Sequence, residues 1–212
     1  FVQQIARQYG NIDLTVIRQS GVKQVRIVDR TFNDDPARCR ALLALFRREF
    51  PELHFHLEID PARITPALAA EFRSAAPGQF HLEAGLQTLK AATYRAIGRQ
   101  ATARQSWRGL ERLCVIPGLT VHVDLIAGLP EATLADTISD LRQVSVLHPA
   151  EIQLELLKLL PGTVLDRQRR RWGLIAAPDS PYEILKTASM TDVECRQARG
   201  LSKLVDWFYN AT

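Results

Sequence analysis

The sequence predicts an α/β fold in which a parallel sheet curves into a partial (β/α)6 TIM-like barrel of about five strands. Five segments of strand length alternate with helical segments, and a parallel strand requires such a crossover to return to the same edge of a sheet. The strand segments start about 25 to 40 residues apart, close to the length of one βα unit. Asp29-Arg-Thr-Phe32, after the first strand, lacks the glycines expected of a doubly wound open sheet, which is the alternative arrangement.

Capping residues and apolar periodicity indicate the helices. Most of them follow an Asp, Asn or Thr whose side chain can accept backbone N–H bonds, and two have a proline in the first turn. Glycine, proline or a following strand ends each one. In chain order the predicted helices cover 14–20, 36–50, 66–72, 89–113 with a potential break at Gly98, 133–147 and 191–208.

The strands are indicated by β-branched or alternating runs that are bounded by proline, glycine or aspartate. In Leu119–Ile126, for example, Pro117-Gly118 supplies the preceding turn. The predicted strands cover 22–28, 54–59, 79–84, 119–126 and 151–157.

Composition and charge exclude several classes of protein. The 212 residues are 46% apolar and 24% charged, a mixture typical of one packed domain. No segment approaches the roughly 18 apolar residues of a membrane span. With 27 basic and 23 acidic residues, the net charge of +4 is too small to indicate nucleic-acid binding. We therefore expect a cytoplasmic protein that acts on a small-molecule substrate, with no membrane and no nucleic acid among its partners.

The cysteines indicate the cellular compartment, and the first residue indicates where the chain begins relative to the translation start. Cys39, Cys114 and Cys195 lie 75 and 81 positions apart, so no pair has the spacing of a zinc or iron–sulfur loop. Such sparse thiols indicate a reducing compartment, and each is expected to be a small apolar residue on a helix. Because the chain begins with Phe1 and no leader follows, we expect it to begin downstream of the translation start.

Three predicted strands carry a histidine and a carboxylate two positions apart, namely His56-Leu-Glu58, His81-Leu-Glu83 and His122-Val-Asp124. Residues two apart lie on one face of a strand. In a parallel barrel an ionisable group there costs several kcal/mol unless it is paired or used. Proline or glycine follows each carboxylate within a few residues, which places the carboxylates at the ligand-binding rim. The alternative is that some of them point outward and that the histidines are satisfied core donors.

Three kinds of function remain open from these residues. A metal-dependent barrel hydrolase is suggested by His54-Phe-His56, although no further histidine or lysine at another strand end completes a ligand set. A non-catalytic binding module, such as an RNA contact through Arg167–Arg171, is disfavoured because Trp172 is the only aromatic neighbour of that run. A polar, zwitterionic ligand with hydroxyl groups suits the carboxylates, amide and arginine of the rim best.

Six motifs resemble, in order and spacing, the core of radical S-adenosylmethionine (SAM) enzymes. The resemblance is greatest to the cobalamin-binding group labelled magnesium-protoporphyrin IX monomethyl ester oxidative cyclase-like, and next to oxygen-independent coproporphyrinogen III oxidase. Ser180–Leu185 and Trp207–Asn210 resemble the C-terminal extension of the first group. The six motifs are Val25–Asn33, Leu57–Pro61, Leu82–Thr88, Ile97–Arg99, His122–Pro130 and Leu157–Thr163.

The resemblance implies that SAM binds across the strand ends beside a 4Fe–4S cluster, which cleaves it reductively to a 5′-deoxyadenosyl radical. It further implies that Glu58 accepts the methionine ammonium and that Arg99 pairs with the carboxylate. Gln87 and Asp124 would bind the ribose hydroxyls, and Asp29 would lie against the amino group. Each pairing is chemically sensible, since a carboxylate suits a cation and a guanidinium suits an anion.

Gly128, in the run Ala127–Pro130, resembles the turn that brings backbone close to the adenine. The sequence departs from the family at Glu131, which directly follows Pro130 where relatives insert residues, and we assign it no role. The larger departure is that no CxxxCxxC cluster loop occurs in residues 1–212.

The resemblance therefore implies a fragment with five of six strands, a barrel over 1–163 and a C-terminal extension over 164–212. The cluster, and cobalamin if it is used, would belong to the full-length parent, so the fragment alone would be inactive. No catalytic residue and no metal ligand is assigned within it. The sheet edge left by truncation would favour self-association.

Overall fold

A five-stranded parallel sheet, in the order β1-β2-β3-β4-β5, forms the centre of the computed structural model, which describes residues 12–211. Helices connect successive strands, so the fold is α/β and corresponds to a partial TIM-like barrel, as predicted. The strands are β1 (Gln24–Ile27), β2 (His54–Ile59), β3 (Phe80–Gln87), β4 (Thr120–Ala127) and β5 (Glu151–Leu156).

Side-chain caps mark where most of the helices begin. Asp35 accepts hydrogen bonds from the backbone N–H groups of Ala37 and Arg38, and Thr133 forms a capping box with Asp136. The first helix, expected to follow Asn11-Ile-Asp13, already includes Asp13, and Asn11 lies outside the described residues. The helices are α1 (Ile12–Gln19), α2 (Pro36–Glu49), α3 (Pro66–Arg73), α4 (Ala91–Ala96), α5 (Ala103–Cys114), α6 (Leu134–Ser145), α7 (Val164–Arg167) and α8 (Asp192–Val205), with a 3-10 turn at Pro61–Arg63.

The potential break at Gly98 divides the predicted helix over 89–113 in two. Gly98 has a φ of +75°, a conformation that ends α4. Thr102 then starts α5 through a capping box with Gln105. The break matters for function because it turns Arg99 back toward the sheet.

The two faces of the sheet differ in polarity. In β2, Phe55, Leu57 and Ile59 are buried against the helices, whereas His56 and Glu58 alternate with them and are only partly buried. β3 repeats this pattern over its full length. The sheet therefore has an apolar face under the helices and a polar concave face.

The C-terminal residues pack along β5. Asn210 accepts a hydrogen bond from the Ile152 backbone N–H and donates one to the Ile152 carbonyl, both at 3.0 Å. This contact covers part of the edge of β5, which would otherwise expose unpaired backbone groups. The boundary between a barrel over 1–163 and a C-terminal extension over 164–212 stays a prediction.

Two details of this C-terminal part were not predicted. An antiparallel hairpin, β6 (Ile175–Ala176) with β7 (Ile184–Lys186), precedes α8, and its strands are too short to leave a periodic pattern. The helix predicted to reach Phe208 ends at Val205 and continues as a π turn, Asp206–Asn210.

The three cysteines lie on helices, as expected. Cys39, Cys114 and Cys195 lie on α2, α5 and α8 and form no disulfide. Within residues 12–211, no helix has the length and apolar character needed to cross a bilayer.

Candidate functional site

A cavity of about 240 Å³ opens at the carboxyl ends of β2, β3 and β4, where barrel proteins hold their ligands. Four of the six predicted site residues line it: Glu58, Gln87, Arg99 and Asp124. The strand register explains their meeting, because Glu58 lies opposite Glu83 and Gly85 lies opposite Asp124. The remaining lining residues are Arg30, Thr31, Ile59, Asp60, Glu83 and Gly85.

Arg26 links two of the carboxylates that line this cavity. Its Nη2 atom lies 3.1 Å from Glu58 Oε1 and 2.8 Å from Glu83 Oε2. His56 Nε2 lies 2.7 Å from the same Glu83 oxygen. The Arg26 side chain is 56% exposed, so its ion pair with Glu58 is weak. Glu58 can therefore exchange this partner for another cation at little cost.

Asp124 is a partly buried acid with a buried, unpartnered oxygen. Burial, together with the neighbouring carboxylates of Glu83 and Glu58, raises its pKa to about 7. Its Oδ1 atom lies 3.3 Å from His122 Nε2, but the two are not aligned for a hydrogen bond, and neither atom has a hydrogen-bond partner among the described residues. An acid in this state can donate to or accept from a ligand hydroxyl.

Gln87 adopts a strained backbone at the end of β3. Its φ is +71°, and the register with β4 shifts between Gly85 and Gln87, which marks a bulge. Its Oε1 atom is buried and has no partner in residues 12–211. Strain of this kind clusters at ligand sites.

Gly85 makes room for the Gln87 amide. A Cβ atom at Gly85 would lie 2.7 Å from Gln87 Nε2, closer than packing permits. The glycine thus lets Gln87 fold over the sheet and into the cavity.

Arg99 is held in place from three sides. Its Nη2 atom donates to the Gly85 carbonyl at 3.1 Å, and its Nη1 atom lies 3.9 Å from Asp60 Oδ1. The guanidinium lies 6.0 Å from the centre of the Tyr94 ring, within range of a cation–π contact. The Arg99 cation is therefore oriented toward the cavity before any ligand arrives.

Asp29 and Gly128 do not line this cavity. Asp29 forms an ion pair with Arg38 on α2. Gly128 has a φ of +80°, and a Cβ atom there would lie 2.6 Å from Ile184 Cγ2 on β7. The lack of a side chain at Gly128 allows the hairpin to pack closely there. The ligand contacts of Asp29 and Gly128 stay predictions.

Sequence reasoning missed several lining residues. Asp60 directly follows β2 and precedes Pro61, so the strand-end argument used for Glu58 could have found it. Glu83 was recognised as a rim carboxylate but received no role. Arg26 does not line this cavity but pairs with two of its carboxylates. It lies on an edge strand and carries no local signal, because those partners are 32 and 57 residues away in the chain.

A second cavity, of about 500 Å³, lies at the amino ends of β1 to β4. His56 and His81 line it, and their ring centres lie 4.5 Å apart. The ring of His122 follows, 6.0 Å from that of His81. Burial lowers the pKa of His81, and the neighbouring imidazoles add to the shift. His54 instead bonds through Nδ1 to the Gly78 carbonyl at 2.7 Å. The hydrolase alternative relied on His54 and His56. The structure instead places His81 and His122 next to a third potential metal ligand, Glu151.

A third cavity, of about 620 Å³, lies between α4, α7 and the residues that follow α7. Arg95, Arg171 and Trp172 contribute to its walls, and none of the six predicted residues does. It also contains no buried unpartnered polar atom among the described residues. The smaller cavity at the strand ends is the better candidate because unpartnered groups face it.

The fold is similar to that of radical SAM enzymes with solved structures. Coproporphyrinogen III oxidase from Escherichia coli, a radical SAM enzyme, has a TM-score of 0.62 and 20% identity over 95% of this chain and 46% of that chain. The radical SAM methyltransferase TsrM from Kitasatospora setae, solved with cobalamin and a 4Fe–4S cluster, has a TM-score of 0.63 and 15% identity over 83% and 36%. SuiB from Streptococcus suis has a TM-score of 0.59 and 10% identity over 93% and 39%.

At these identities the likeness shows the fold alone. The chain spans less than half the length of each of these three proteins. No protein-family model and no curated protein matches the chain.

Proposed function

We propose that this chain is part of a radical SAM enzyme and that it binds SAM at the carboxyl ends of β2, β3 and β4. One observation carries the proposal: Glu58, Gln87, Arg99 and Asp124, which come from separate parts of the chain, line one cavity. The proposed division is a barrel over 1–163 and a C-terminal extension over 164–212. We place the parent in the cytoplasm because the three cysteines of this chain are unpaired.

The donors and acceptors of the cavity fit the polar groups of SAM. Glu58 would share its charge between Arg26 and the methionine ammonium, and Arg99 would bind the carboxylate. Gln87 Oε1 and Asp124 Oδ1, both buried and unpartnered, would bind the ribose hydroxyls. The volume of about 240 Å³ is below the roughly 300 Å³ at which small-molecule pockets usually begin. Part of the ligand would therefore lie outside the cavity, over the open concave face.

The cysteines of this chain do not fit an iron–sulfur cluster. They lie on three separate helices, and burial raises the pKa of Cys39 to about 12 and that of Cys114 to about 11. A cluster ligand must be a thiolate, which such burial opposes. We therefore assign no chemical step on the cluster to these residues.

We propose that a CxxxCxxC loop lies in the parent protein ahead of residue 1, with a cobalamin-binding domain further upstream. An oxygen-independent coproporphyrinogen oxidase-like parent is the second candidate, favoured by its similar fold. The gene sequence upstream of Phe1 tests both, since a loop without a cobalamin domain supports the second candidate. Ordinary apolar sequence without the loop would exclude radical SAM chemistry.

SAM titrated onto the chain by calorimetry should bind with one saturable site. Glu58→Gln and Asp124→Ala should each weaken binding about tenfold, because a lost charge-assisted hydrogen bond costs about 1.5 kcal/mol or more. Asp179→Asn, on the exposed C-terminal part, is the control and should leave binding unchanged. Equal affinities in all four proteins, or no saturation, would refute the site.

Gly85→Ala tests the role of the Gln87 side chain. The added Cβ atom displaces the Gln87 amide from the cavity, so SAM binding should weaken about tenfold or more. Since only the end of a flexible side chain must move, the free energy of unfolding should change by about 1 kcal/mol or less. Gly200→Ala, with open space at its Cβ position, is the matched control. Unaltered SAM affinity in Gly85→Ala would show that the Gln87 amide does not contact the ligand.

A further inference from the structure

His81, His122 and Glu151 bring three potential metal ligands together on neighbouring strands. They lie on β3, β4 and β5, and one ligand atom from each falls within 4.8 Å of the others. His81 and Glu151 stand at or next to the amino ends of their strands. The group therefore lies on the concave face, toward the opposite end from the proposed SAM cavity.

Both imidazoles have a buried nitrogen without a partner. The Nε2 atoms of His81 and His122 are buried and have no hydrogen-bond partner among the described residues. The His122 side chain is only 9% exposed. A buried nitrogen in this state costs about 1–3 kcal/mol. A metal ion would relieve that cost at His81 Nε2, and the facing Asp124 carboxylate would relieve it at His122 Nε2 when Nδ1 holds the ion.

The two ring nitrogens of His122 face different carboxylates. Nδ1 lies 3.7 Å from Glu151 Oε2, and Nε2 lies 3.3 Å from Asp124 Oδ1. A zinc ion bound tetrahedrally at roughly 2.0–2.2 Å holds its ligand atoms about 3.3 Å apart. The 3.7 Å between His122 Nδ1 and Glu151 Oε2 is close to this separation. Side-chain rotation can shorten the other ligand–ligand distances, which are at most 4.8 Å. Asp124 would then occupy the second shell, where a carboxylate commonly orients a metal-binding histidine.

We propose that His81, His122 and Glu151 bind a divalent transition metal ion of the zinc type. Two imidazoles and one carboxylate are ligands that such ions prefer over magnesium or calcium. Arg26 and Lys158 pair with other carboxylates of this face, whereas Asp124 and Glu151 have no Lys or Arg partner among the described residues. A dication would offset the charge of these two. Three protein ligands leave a fourth position for water, and His81 also lines the 500 Å³ cavity from which a molecule can reach it.

The site goes beyond the proposed SAM function and can be tested without it. Zn²⁺ is titrated onto the metal-free chain by calorimetry in the presence of a competing chelator. One ion per chain should bind, and His81→Ala and His122→Ala should each weaken binding at least about 100-fold, since loss of a second-shell partner alone costs roughly 10–100-fold. His148→Asn is the control, because His148 is exposed, lies outside the group and has a φ of +50° that asparagine tolerates.

Cobalt(II) supplies a second readout that needs no folded alanine variant. The unaltered chain should develop the visible bands of four-coordinate Co²⁺ without the near-ultraviolet band of thiolate ligation, and Glu151→Gln should change those bands. Absence of Zn²⁺ binding, binding that survives both histidine changes, or a thiolate band from Cys39, Cys114 or Cys195 would each overturn the proposal. SAM calorimetry on the unaltered chain is a separate measurement, so failure of Zn²⁺ binding and failure of SAM binding are distinguishable.

Discussion

Gly109→Ala should lower the free energy of unfolding by about 3 kcal/mol or more, at the upper end of the cost of overpacking. Gly109 lies on α5, where the helix packs against the 3-10 turn that follows β2. A Cβ atom there would lie 1.8 Å from the Pro61 carbonyl oxygen and 3.3 Å from Ile64 Cβ. The overlap is with backbone, so no side-chain rotation relieves it.

The same change should reach the candidate site. Pro61 directly follows Asp60, which lines the cavity and faces Arg99. Moving the turn should therefore weaken SAM binding as well as stability. Urea unfolding and SAM calorimetry measure the two effects.

Gly200→Ala provides the comparison for Gly109→Ala. Gly200 lies on the exposed side of α8 with nothing near its Cβ position, so alanine there should raise stability by about 0.5–1 kcal/mol through helix propensity. If both alanine variants unfolded at the same urea concentration, the close packing of α5 on the turn would be disproved.

Phe46→Ala should destabilise the protein by about 3–5 kcal/mol. Phe46 is 1% exposed on α2 and stacks on Phe55 of β2, with ring centres 4.1 Å apart and planes inclined by 10°. Phe32 lies on its other side at 6.4 Å. The alanine removes the stacked pair as well as buried apolar area, and the cavity left behind has rigid walls.

Phe208→Ala is the control for this substitution. Phe208 is 74% exposed in the π turn, so its loss should change stability by no more than about 0.5 kcal/mol. Thermal or urea unfolding followed by circular dichroism compares the variants. A Phe46→Ala protein as stable as the Phe208→Ala protein would contradict the packing of α2 on the sheet.

Much of the candidate site was open to prediction because its residues sit at recognisable positions. Glu58 and Asp124 lie toward the ends of alternating strands, whereas Gln87 and Arg99 were assigned through motifs that resemble those of radical SAM enzymes. These signals are local in the chain. The residues that were missed, such as Arg26, act on partners contributed by other strands, and no window of sequence contains both members of such a pair.

Periodicity, caps and turn residues were enough to establish the parallel α/β architecture and the span of β2, since each depends on interactions between residues a few positions apart. Only the tertiary structure shows which polar groups lie next to one another. The bulge that turns Gln87 inward and the alignment of His81, His122 and Glu151 arise from the register between strands. That register is set by the packing of the whole sheet against its helices, a property of distant residues acting together.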